Sequence, residues 1–209
     1  MDYGKIQIPY IGNLAIKNKA ETFRAKYWNK VLPVDIEKII DVDLEINIIP
    51  LPNLEKLCNT DALITSDWKS LYIDKDLFED ERRQNRLRFS LAHEIGHFIL
   101  HRNFYASLAI NSFEDFYAFI EFIPAEQYGY LETQANKFAG HLLAPRDLLS
   151  DKLNKELKKA SQKINIDNLD KLLLKSYISN PLAKEFGISQ ESMEIVLNEF
   201  DFFKDKNNS

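Results

Sequence analysis

Leu87, Leu91, Ile95 and Phe98 or Ile99 recur every three or four residues through "QNRLRFSLAHEIGHFILH". That spacing is one face of an amphipathic α-helix. Upstream, residues 17–30 predict a first helix, and "PVDIEKII" predicts a second with Pro33 in its opening turn. Three short runs rich in β-forming residues follow, "DLEINIIPL", "DALITS" and "SLYID", the last two joined across the turn-prone "SDWK". They predict a small antiparallel sheet. Downstream, Ser112 and Asp115 have capping-box spacing, Pro124 closes that helix, and "YLETQANKFAGHLLAP" predicts another, stopped by Pro145. From Arg146 the pattern is helical. The expected class is therefore α+β. The expected division is a main domain over residues 1–150 and a helical extension over 151–209.

Composition narrows this picture. Of 209 residues, 45% are hydrophobic and 28% charged, values of a globular chain with one main core. No apolar stretch nears the roughly 20 residues that span a bilayer, and the start has no basic segment followed by an apolar run. With Cys58 as the single cysteine, a reducing, cytoplasmic setting is expected, with no membrane partner. The net charge of -5 makes nucleic acid a poor default partner. "LAKEFGISQESMEIVL" has the helix, glycine turn, helix order of a helix-turn-helix. Yet "SQESMEIVLNEF" holds no lysine or arginine and carries Glu191, Glu194 and Glu199, which phosphates would repel. Direct DNA binding is not expected, and the oligomeric state cannot be read from these patterns.

The chemistry lies in "HEIGH". Residues i and i+4 of a helix share a face, so His93 and His97 can direct two imidazole nitrogens at one Zn2+ ion. Glu94, about 100° around the helix, falls beside the ion, where it can take a proton from a water that zinc has acidified to a pKa of about 7. This is the arrangement for amide hydrolysis. A third protein ligand is needed. His101 lies a further turn along, and three successive turns of one straight helix cannot converge on a tetrahedral ion, so it is expected to support the ligands from behind. Glu132, in "LETQANKFAG", is the expected third ligand, with Asn136 one turn on as a hydrogen-bond partner for a ligand histidine. Gly96 suits a close approach by that second helix. Tyr105, Tyr117, Tyr128, Tyr130 and His141 are candidates to stabilise an oxyanion, and "SLYID" is a candidate edge strand for an extended substrate.

"RLRFSLAHEIGHFILH" followed by "LETQANKFAGHLLAP" resembles the ImmA/IrrE family of zinc metallopeptidases. The resemblance runs, less sharply, from about Val34 to about Leu148. It implies a zincin-like α+β core, zinc held by His93, His97 and Glu132, and Glu94 as base. It also implies a protein substrate, a helix-turn-helix transcriptional repressor, whose cleavage relieves repression of stress-response or mobile-element genes. Two other functions compete. One is a zinc-containing binding module, an anti-repressor or toxin-antitoxin component, which the intact Glu94 disfavours. The other is a DNA-binding regulator built on a vestigial peptidase core.

Overall fold

The computed structural model describes residues 3–29, 31–108, 110, 112–163 and 169–199. In chain order it forms α1 (Asn13–Tyr27), α2 (Ile36–Lys38) continuing into a π-helical turn at Ile39–Asp43, β1 (Asn47–Leu51), α3 (Leu54–Cys58), β2 (Ala62–Ile64) and β3 (Ser70–Asp74). After these come α4 (Lys75–Glu79), α5 (Gln84–Leu100), α6 (Arg102–Leu108), α7 (Phe113–Phe122), α8 (Ala125–Leu143), α9 (Arg146–Ser161), α10 (Lys171–Phe186) and α11 (Gln190–Glu199). The described residues form a mostly helical α+β fold with one small sheet. Among the described residues, no helix is long and apolar enough to cross a membrane. The chain parts into two compact units, residues 1–29 with 35–142, and residues 30–34 with 143–209.

The sheet corrects one expectation. Its strand order is β1-β3-β2, with β2 antiparallel to β3 but β1 parallel to it, so the sheet is mixed rather than antiparallel. The hairpin is tight. The Thr65 N–H donates to Ser70 O at 3.0 Å, and Trp68 takes a left-handed φ of 60° inside the turn. The chain leaving β1 passes through α3 and returns as β2, after which β3 inserts between them. Alternation of apolar and polar residues encodes which face a strand buries, not its neighbours, so this order was not readable from pattern alone. It also makes β3 the central strand. The edge strand beside α5 is β2, and "SLYID" is not an edge.

Asp74 and Asp80 punctuate the approach to the motif helix. The Asp74 carboxylate accepts from Leu77 N–H at 3.1 Å, capping α4, and Asp80 accepts from Arg82 N–H at 3.0 Å, capping the 3₁₀ turn Glu81–Arg83. Arg86, on the first turn of α5, bonds Asp61 through Nε at 2.7 Å and Glu55 through Nη2 at 2.8 Å, tying the helix to the start of β2 and to α3. Leu87, Leu91 and Ile95 are buried as their spacing predicts, while Phe98 is half-buried with its ring 5.4 Å from that of Trp68. Burying each such aliphatic side chain contributes roughly 1.5–3 kcal/mol, which seats α5 against the sheet. The second helix opens differently from expectation, with Asp35 as its N-cap, accepting from Lys38 N–H, and Pro33 lying before the cap. The capping box of α7 is complete on both sides.

In the second unit, Asp170 caps α10 and Gly187 ends it at φ 65°, the left-handed conformation that favours glycine. Its α10 and α11 pack together, and the exposed side of α11 presents Glu191 and Ile195.

Candidate metal centre

Gly96 explains how α5 and α8 come together. A Cβ placed on it would stand 3.0 Å from both the Cα and the carbonyl oxygen of Ala135, so the helices touch at backbone distance here. Glu132 and Asn136 flank Ala135 on α8 and are thereby delivered to the face of α5 that carries His93 and His97. The Nε2 atoms of the two histidines lie 3.0 Å apart. Glu132 Oε2 is 3.2 Å from His93 Nε2, and its Oε1 is 3.5 Å from His97 Nε2. Glu94 stands to one side, with its nearest oxygen 4.0 Å from His93 Nε2 and its carboxylate accepting from the Ile64 N–H of β2. The cluster opens into a cleft of about 270 Å³ whose wall includes Thr60, Ala62, Arg86 and Phe89.

Hydrogen bonds on the far side of each imidazole determine which nitrogen faces the cluster. His93 Nδ1 is 2.9 Å from Asn136 Oδ1, an acceptor, so Nδ1 carries a proton and Nε2 is the nitrogen turned toward the cluster. His97 Nδ1 is 3.0 Å from His101 Nδ1, and His101 Nε2 is 3.1 Å from Gln134 Oε1. Burial, joined by the like charge of His97, pushes the His101 pKa down to about 3 and keeps that ring neutral. Burial works against a proton on His93, but the hydrogen bond and charge of Glu132, with the charge of Glu94, outweigh it and raise its pKa to about 9. Burial would raise Glu132 as well. The bonds and charges of His93 and His97 win, and hold its carboxyl well below the usual range. Glu94 goes the other way, because burial raises its pKa and the two histidines only partly offset that. The two carboxylates are thus held apart in basicity by environment, the pattern of a functional site.

The donor set fits a tetrahedral cation. Four ligands at zinc bond lengths of 2.0–2.1 Å stand about 3.3 Å from one another, and the three separations among His93 Nε2, His97 Nε2 and Glu132 are 3.0, 3.2 and 3.5 Å. Two imidazole nitrogens and a carboxylate oxygen facing one another at these distances suit a cation between them, a shared proton or a metal ion. His93, Glu94 and His97 also fall within 4.8 Å of one another as a possible metal group. We favour Glu132 over Glu94 as the third donor, since its oxygens reach both histidines and Glu94 is engaged by Ile64.

All six residues singled out from the sequence, His93, Glu94, His97, His101, Glu132 and Asn136, meet here. Of the oxyanion candidates, Tyr128 bonds Glu132 and Tyr105 packs its ring 5.3 Å from that of His97. Burial raises the pKa of both phenols, Tyr105 the further buried of the two. Tyr117 and Tyr130 are exposed, and Tyr130 donates to Glu126 at 2.8 Å. His141 is buried. Sequence reasoning missed Gln134, the Ile64 N–H, and the Arg86, Asp61 and Ser90 group on the cleft rim, where Ser90 Oγ donates to Asp61 at 2.8 Å. Each depends on long-range placement that no local motif signals.

A family model described as the IrrE N-terminal-like domain, Peptidase_M78, matches residues 65–198. Among curated proteins, none matches the chain.

Proposed function

Because the chain belongs to the Peptidase_M78 family, a metallopeptidase family, we propose that it is a zinc-dependent endopeptidase acting on a helix-turn-helix transcriptional repressor in the cytoplasm. The observation that carries this reading is the convergence of His93, His97 and Glu132 on one point with the buried Glu94 held beside it. His93, His97 and Glu132 would hold the ion. Zinc, when bound, polarises a carbonyl and makes water a nucleophile near neutral pH. Glu94 receives the proton of the attacking water on its carboxylate and passes it to the leaving amine. Its raised pKa suits that exchange, because a base with strongly depressed affinity for protons would take one poorly. The β2 edge beside the cleft can pair with the extended backbone of a substrate. Hydrolysis of the repressor would relieve repression of stress-response or mobile-element genes.

A doubly tagged helix-turn-helix repressor encoded beside the gene, co-expressed with the wild-type chain or with Glu94→Gln, tests this reading by immunoblot. Two fragments with wild type alone support it. An intact repressor with both, accompanied by relief of repression, would favour a zinc-containing binding module instead.

A further inference from the structure

The line of contacts behind His97 continues past His101 to the N-terminal segment. Gln134 Nε2 lies 3.1 Å from the carbonyl oxygen of Pro9, which can only accept a hydrogen bond, so that side of the amide is the NH₂ group. The other side, Gln134 Oε1, therefore faces His101 Nε2 at 3.1 Å and accepts from it. Buried beside an amide and another imidazole, with no carboxylate on either nitrogen, His101 is neutral and carries its one proton on Nε2. Its Nδ1 then holds a lone pair, 3.0 Å from His97 Nδ1. His97 must supply the proton of that bond, which leaves its own Nε2 bare toward Glu132 and His93. His97, His101 and Gln134 are all buried, so water does not offer the amide an alternative partner. The segment that supplies the carbonyl is anchored next door, where Ile8 N–H donates to Gln127 Oε1 at 2.8 Å, on the same helix as Gln134.

We propose that Gln134 is a positioning residue for the metal centre: oriented by the Pro9 carbonyl, its amide fixes the tautomer of His101 and through it turns the unprotonated Nε2 of His97 toward the ion. The proposal rests on the reading of His97 as a ligand. It deepens that reading by making the N-terminal segment part of the centre's construction. Replacing the amide with an apolar side chain of similar length removes the acceptor at His101 Nε2. His101 can then move its proton to Nδ1, and His97 Nδ1 becomes the acceptor, which puts a proton on the nitrogen that faces the metal.

Long-range ¹H–¹⁵N spectra of the imidazoles in the full chain, recorded with and without zinc, read the tautomers, and chelator competition reads zinc affinity. The wild-type chain is expected to show His101 protonated on Nε2. Gln134→Met is expected to show a mixture of His101 tautomers and a 10- to 100-fold loss of zinc affinity, about the cost of removing such a supporting partner. Zinc binding by the wild type with His101 protonated on Nδ1 overturns the relay alone, and this spectrum needs no variant to fold. Failure of the wild type to bind zinc, with His101 in the expected tautomer, overturns the ligand assignment and with it the role given to Gln134. Equal zinc affinity in wild type and Gln134→Met overturns the proposal as well.

Discussion

Gly96→Ala puts the spacing of the two site helices to a quantitative test. The new methyl would meet Ala135 Cα and O at 3.0 Å and Ala135 Cβ at 3.3 Å. Comfortable carbon contacts begin near 3.5 Å, so α5 and α8 must separate by about 0.5 Å. Two of the three obstructing atoms are backbone, and no side-chain rotation relieves them. Overpacking of this kind costs about 1–3 kcal/mol, and alanine returns about 1 kcal/mol in helix propensity. The metal-free chain should therefore lose about 0–2 kcal/mol, a modest change. The site should suffer more. Glu132 and Asn136 ride on either side of Ala135, and ligand distances tolerate only about ±0.2 Å. A displacement of twice that predicts a zinc affinity at least tenfold weaker, measured by chelator competition, alongside urea unfolding of the metal-free chain. Zinc affinity within twofold of wild type, combined with a stability gain near 1 kcal/mol, would refute the argument that this contact sets the distance between the ligands.

Three further outcomes are expected. Asn136→Ala, at an exposed position, should weaken zinc binding about 10- to 100-fold while leaving the unfolding curve of the metal-free chain in place, and Asn136→Asp should retain most of the affinity because it keeps the acceptor for His93 Nδ1. Zinc at a hundredfold excess over its Kd should add about 2.7 kcal/mol, or about 5–11 °C in Tm, to the wild-type chain; calorimetry on Glu132→Ala should show no such gain. Ser112→Ala removes one half of the α7 capping box and should cost about 1 kcal/mol in urea unfolding without altering zinc affinity, since Ser112 lies outside the metal cluster.

The parts of this architecture that depend on local periodicity were legible in the chain. The i, i+4 placement of His93 and His97 follows from helix geometry alone, and the three strands formed where β-type residues were bounded by turn formers. Glu132 was accessible because a tetrahedral site needs a third donor and its helix offered an acidic residue with Asn136 one turn on. Sheet order was not legible, because β3 is inserted between two strands that precede it in sequence. Gln134 was hidden for a related reason. Its partners are Pro9 and His101, 125 and 33 residues away, and a glutamine two residues beyond Glu132 gives no sign of reaching the histidine behind His97.

The division of labour between the two buried-site carboxylates is the centre of this account, and zinc content per chain measures it directly. Purified wild type and Glu94→Gln should each carry one zinc by mass spectrometry of the metal, and Glu132→Ala should carry none. Loss of zinc from Glu94→Gln with retention in Glu132→Ala would contradict the account and exchange the two roles.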